Sequence, residues 1–104
     1  MKKKTKKYED SLIESLKDPI EAAAYLTVHI EDDSEHAEEI FLLALKDVAK
    51  AYGIEKVAQK AKIGRESMYK TLSGSVNPKL KTLRSILDSV GLKMAIEPKN
   101  SKAL

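Results

Sequence analysis

Residues 55–74, EKVAQKAKIGRESMYKTLSG, hold the side chains best suited to chemistry: Arg65, Glu66, Ser67, Tyr69 and Lys70 fall within six positions. The stretch reads as two short helices joined by a tight turn, with Met68 and Leu72 one turn apart on the docking side of the second. A helix that reads DNA needs this division: apolar residues to seat it, long polar residues near its N-terminus to reach base edges. Arg and Lys can bond guanine, Ser can donate or accept, and Glu66 can accept from a cytosine amine. Phosphate contacts are expected from Lys56, Lys60, Lys62, Lys79, Lys81 and Arg84 around the hairpin. Asn77 and Lys79, at a predicted helix start, form a phosphate seat. The bland alternative is an ordinary helical bundle with a basic face.

No other grouping offers comparable chemistry. There is no cysteine, so thiolate chemistry and disulfides are excluded. His29 and His36, with Asp32 and Asp33 between them, could hold a metal, but they fall on two predicted helices across a turn, and packing is the better reading. The carboxylates of residues 31–39 crowd one exposed junction rather than forming a tuned acid–base pair. The segment GSVNP lacks the glycines and the Lys-Ser/Thr of a phosphate-cradling loop. No nucleophile sits beside a base. The expectation is a protein that is not an enzyme and uses no cofactor and no metal.

The elements that must position the hairpin are helical. YEDSLIESL has apolar residues at 8, 12, 13 and 16, a helix too short to be stable without packing. At residue 18 a new helix starts: Asp18 caps, Pro19 suits the first turn, and Glu21 favours the positive end of the dipole. Ala23, Leu26 and Ile30 give it a narrow apolar stripe. A third helix follows, capped by Asp33 or Ser34, with Ala37, Ile40, Phe41, Ala44, Leu45, Val48 and Tyr52 at helical spacing and Gly53 as its stop. In the hairpin, Val57, Ala58 and Ala61 face inward and Ile63 plugs the pair. Asn77 and Pro78 open a last helix, with Leu80, Leu83, Ile86, Leu87 and Val90 inward and Gly91 ending it. Leu92, Met94 and Ile96 then alternate with polar or small residues, the period of a strand. A lone strand leaves backbone groups unpaired, so pairing with its copy in a homodimer is expected.

Length and charge bound the rest. The 104 residues suffice for one domain. No apolar run approaches the roughly 20 residues of a membrane span, and MKKKTKK is not followed by the apolar core of a secretory signal. Cytoplasmic residence is expected. The net charge of +3 hides a strong segregation. Residues 1–7 hold five Lys; residues 8–47 hold twelve Asp or Glu against two Lys; residues 48–104 hold twelve Lys or Arg against four acids. One part repels a polyanion and the other attracts one, which suggests two partners of opposite charge.

The stretches DPIEAAAYL, FLLALKDVAKAYG, VAQKAKIGRESMYKTLSG and NPKLKTLRSILDSVGLKMAI together resemble the addiction-module antidote proteins. These are HigA-like antitoxins with a helix-turn-helix of the phage-repressor type. The resemblance covers about residues 9–98. It implies a mainly α fold with a five-helix lambda-repressor-like domain; the helix-turn-helix and dimerisation domain is then placed at 37–98, behind an acidic helical extension over 8–36, and the C-terminal dimerisation strand is the one read above from the alternation. Tails at 1–7 and 99–104 are expected to be disordered. It also implies operator DNA as one partner and a RelE/ParE-like or HigB-like toxin as another. The DNA-binding set is then Lys62, Gly64, Arg65, Glu66, Ser67, Tyr69, Lys70, Asn77 and Lys79, and the dimerisation set Leu92, Met94 and Ile96. The charge segregation, rather than the resemblance, directs the toxin to the acidic segment, where Tyr8, Leu12, Leu16 and Tyr25 are the expected contacts. A stand-alone prophage-type regulator without a toxin is the alternative, and a pure protein-interaction module a third reading. Similar sequences carry Gly-Leu-Ser at the turn where this chain has Lys62-Ile63-Gly64, so Lys62 is expected at a positive φ.

Overall fold

The computed structural model describes residues 6–99. Six helices follow one another: α1 (Lys6–Ser15), α2 (Pro19–Ile30), α3 (Ala37–Tyr52), α4 (Ile54–Ala61), α5 (Arg65–Leu72) and α6 (Leu80–Ser89). The tails expected at 1–7 and 99–104 lie outside the described residues, except that Lys6 and Lys7 belong to α1 and Lys99 is exposed.

α3 is the hub. Its Phe41, Leu42, Ala44, Leu45, Val48 and Ala49 are buried, and α1, α2, α4 and α5 all pack against it. The period that marked it in the sequence is the one that faces the core. α6 packs on α4 and contributes Ile86 and Leu87, with Val90 buried just past its end. Leu80, expected inward, is 59% exposed, because α6 starts at Leu80 and its first turn reaches past the core.

Local chemistry sets the helix ends. Asp18 accepts a hydrogen bond from the Ile20 N–H at 2.9 Å, capping α2 as its sequence position dictates. α3 differs: Asp32 spends its carboxylate on the Ser34 N–H at 2.8 Å, and His36 occupies the cap position without a side-chain bond. α6 also differs. Asn77 is not its cap; Lys79 is, again without a side-chain bond.

Two expectations are corrected. The domain is not five helices with an extension. α1 packs on α3 and seats Leu16, just past its end, at 1% exposure in the common core, so the first helix belongs to the same body. And the described residues contain no strand. The apolar alternation from Leu92 to Ile96 starts from a helix ending, not a strand. Gly91, at φ +82, closes α6 by donating its N–H to the Asp88 carbonyl oxygen, while the Leu92 N–H reaches the Leu87 carbonyl at 2.8 Å. That pair of bonds is a Schellman closure, in which an apolar residue just past the glycine folds back on the helix. Leu92 is half-buried for that reason. Met94 and Ile96 are exposed, Ile96 at 99%, and no ladder joins the three residues to another segment.

One polar link ties α2 to the hub. The Tyr25 hydroxyl donates to Asp47 Oδ2 at 2.8 Å, and His29 Nδ1 donates to the Tyr25 carbonyl oxygen at 2.7 Å beneath a tilted ring contact. Burial, then the bond to Asp47, then the charges of Asp47 and Tyr8 raise the Tyr25 phenol well above its ordinary value. A raised phenol stabilises the fold fully below the unfolded value of about 10 and loses that contribution as pH rises through the folded one. Tyr25→Phe is expected to cost about 1–2 kcal/mol at pH 7, because Asp47 loses its partner while half-buried. The gap from the wild type should narrow above pH 10. Urea melts at pH 7 and 10.5 check this; equal stability of the two proteins at pH 7 would refute it.

Candidate nucleic-acid interface

α4 and α5, eight residues each, are joined by Lys62, Ile63 and Gly64. The turn is a second Schellman closure. The Ile63 N–H bonds the Ala58 carbonyl oxygen at 2.9 Å and the Lys62 N–H the Gln59 carbonyl at 3.2 Å. Ile63 folds back half-buried on the core, the plug its position predicted. Lys62 takes the place that Gly91 takes at the end of α6. At φ +59 and ψ +43 it is the one non-glycine residue with positive φ among the described residues. That conformation costs an L-residue roughly 1–2 kcal/mol.

Gly64 is the cap residue of α5, at φ −62 and ψ 152, and supplies no side-chain acceptor. A Cβ added there would meet nothing within 4 Å. Two opposite substitutions follow. Lys62→Gly is expected to raise stability by about 1 kcal/mol by removing the Cβ strain. Gly64→Ser is expected to gain up to about 1 kcal/mol by capping the helix and narrowing the unfolded ensemble. Chemical denaturation measures both, and a loss of stability in Lys62→Gly would show that the αL strain is not there to be relieved.

α5 divides as its sequence requires. Met68, Thr71 and Leu72 are buried; Arg65, Glu66, Ser67, Tyr69 and Lys70 are exposed. The Arg65 guanidinium lies 3.6 Å from a Glu55 carboxylate oxygen on α4 and 5.9 Å over the centre of the Tyr69 ring. Both charged side chains are about 70% exposed, so the pair holds Arg65 only loosely. Tyr69 opens onto a shallow depression lined by Lys46, Lys50 and Lys56. Lys46 and Lys50 escaped the reading of the sequence because they stand on α3, a turn apart, in a segment marked as core. Their place off the Leu45–Val48 stripe was the available signal.

The other cations are not all brought here. Lys81 and Arg84 share a separate basin with Lys93 beside Leu80 and Met94. Lys60 lies near Asp88 at the end of α6. Asn77 lines a cleft with the α2–α3 junction, and Lys79 is exposed at the α6 start. Of the residues read as toxin contacts, Tyr8 is exposed, Leu12 and Tyr25 are half-buried, and Leu16 is in the core. Among the described residues no group of three His, Asp or Glu is placed to hold a metal, and no helix is long and apolar enough to cross a membrane.

Comparison with known proteins adds the family. A family model described as "Probable addiction module antidote protein" matches residues 4–98. An uncharacterized protein of Haemophilus influenzae is 32% identical over 77 residues, covering 74% of this chain and 76% of that protein. No solved structure matches. With nearly its whole length matched, the chain belongs to the family of addiction module antidote proteins.

Proposed function

We propose that this protein is the antitoxin of a type II toxin–antitoxin pair. It neutralises a RelE/ParE-like or HigB-like toxin through its acidic N-terminal half. It represses its own operon by binding a palindromic operator as a dimer, with a phage-repressor type helix-turn-helix formed by α4 and α5. The chain acts by occupancy rather than by catalysis.

The observation that carries the DNA reading is α5 itself: buried Met68 and Leu72 behind, a polar row from Arg65 to Lys70 in front, and Lys46, Lys50 and Lys56 beside Tyr69. α5 and α6 both start without a side-chain cap. Their first N–H groups are therefore available to phosphate oxygens, which a helix N-terminus favours. A dimer would set two copies of α5 in successive major grooves roughly 34 Å apart. Family membership supports the toxin partner, and the segregated charge supports two partners of opposite sign.

The test is co-expression with the neighbouring reading frame together with binding to the chain's own promoter. Growth rescue and co-purification are expected, along with a promoter affinity whose logarithm falls steeply with log salt. A flat salt profile would sink the DNA reading; no rescue and no complex would sink the toxin reading.

A further inference from the structure

The α2–α3 junction and the loop entering α6 enclose a cleft of about 320 Å³. Ile30, Phe41, Leu42, Pro78 and Leu83 give it apolar walls, and Asp32 and Glu38 stand at its mouth. Ile30 is 55% exposed, an aliphatic side chain held in water at the rim. Around it, residues 31–39 carry six carboxylates and no Lys or Arg. Glu35 and Glu39 approach His36 at 3.4 and 3.9 Å, and Asp32 accepts from the Ser34 N–H. None of the six forms an ion pair with a Lys or Arg among the described residues.

We infer that this cleft is the anchor point for the toxin, and that it takes an apolar side chain flanked by Lys or Arg on the toxin's surface. The inference rests on the antitoxin reading above and names the place and chemistry of its contact. Like charges gathered without Lys or Arg partners repel one another, and a basic partner relieves that repulsion while burying the apolar walls. The volume lies at the lower end of the range for binding clefts, about 300 Å³ and upward, so one or two side chains fill it rather than a domain edge. An apolar anchor seated in a cleft with charges at its rim is the usual form of an energetic centre in an interface. The site differs from the one expected on Tyr8, Leu12, Leu16 and Tyr25. It lies at the C-terminal end of α2, beyond Tyr25, and Asn77 and Pro78 of the α5–α6 loop form one wall, so a docked toxin touches the segment that carries Lys79.

The experiment measures binding of the purified toxin, expressed from the neighbouring frame, to full-length variants by calorimetry and stopped-flow. Ile30→Asp and the pair Asp32→Lys with Glu38→Lys are each expected to weaken affinity about tenfold or more. The charge-reversed pair should also slow association and flatten its salt dependence. Ile20→Asp, 77% exposed at the opposite end of α2, is the control and should leave affinity unchanged. If the wild type binds toxin and the cleft variants bind it equally well, the cleft is not the anchor, while the antitoxin reading stands. If the wild type binds no toxin, both fall. If Ile30→Asp instead splits a toxin-free dimer in sedimentation and leaves toxin affinity untouched, the occupant is a second copy of this chain and the inference is overturned. Circular dichroism confirms folding. Asp32 and Glu38 are exposed, so their reversal carries the test even where Ile30→Asp is unstable.

Discussion

Arg65→Ala combined with Lys70→Ala is expected to lower operator affinity by on the order of 100-fold or more, since each good base contact is worth roughly 1–3 kcal/mol. Arg65 is the first residue of α5, where a recognition helix meets base edges. Its present partners do not compete strongly. The exposed pair with Glu55 is worth about 0–1 kcal/mol, and the exposed stacking on Tyr69 about 0.5–1 kcal/mol. Releasing the guanidinium to DNA therefore costs less than a bidentate contact returns. Neither side chain is buried, so the double variant should melt within about 0.5 kcal/mol of the wild type. The two single variants separate the roles. A base contact relaxes specificity, whereas a phosphate contact weakens all sequences alike and lowers the salt slope by about one. Fluorescence anisotropy on the promoter and on random duplex reads both, and unchanged affinity in the double variant would remove α5 from the interface.

The largest expected loss of stability from a small change is at Gly74. This glycine lies in the loop between α5 and α6 at φ +83, against α3. A Cβ placed there comes within 2.8 Å of Glu39 Cγ and 3.3 Å of the Glu39 carbonyl oxygen. Gly74→Ala thus meets two penalties at once. The left-handed backbone costs roughly 1–2 kcal/mol, and displacing Glu39 adds to it, for a total of about 2–3 kcal/mol. For a domain of this size, that lowers the melting temperature by about 10 °C or more. A double-mutant cycle separates the penalties. In a Glu39→Ala background the Cγ contact is gone, so Gly74→Ala should cost less by about 0.5 kcal/mol or more. Additivity within error would mean that the backbone angle alone carries the effect.

What the sequence made legible follows from physics that is local in the chain. The 3.6-residue period found the face of α3, Asp18 and Pro19 found the start of α2, and the unlike residues of the hairpin found α4, the turn and α5. The positive φ at Lys62 was readable from similar sequences with glycine there. The misreadings arose where two explanations share one pattern. Leu92 satisfies strand alternation and a helix closure equally, and the bond from its N–H to the Leu87 carbonyl decides for the closure. Leu16, at the end of a short acidic helix, looked like a contact for a partner, but only packing on α3 lets so short a helix persist. The grouping of Lys46 and Lys50 with Tyr69, and the cleft between residues 30–42 and 77–83, depend on how distant segments meet. No periodicity encodes that.

The central position of α3 has a thermodynamic consequence. α1, α2 and the basic hairpin all pack on α3 and share one core. The two charge halves cannot melt independently, so whatever binds one and not the unfolded chain stabilises the other by mass action. A toxin at 100 times its dissociation constant adds about 2.7 kcal/mol to the free energy holding α5 in place. No change of shape is required for that transfer. The occupied state of one face lengthens the life of the other simply because they unfold together.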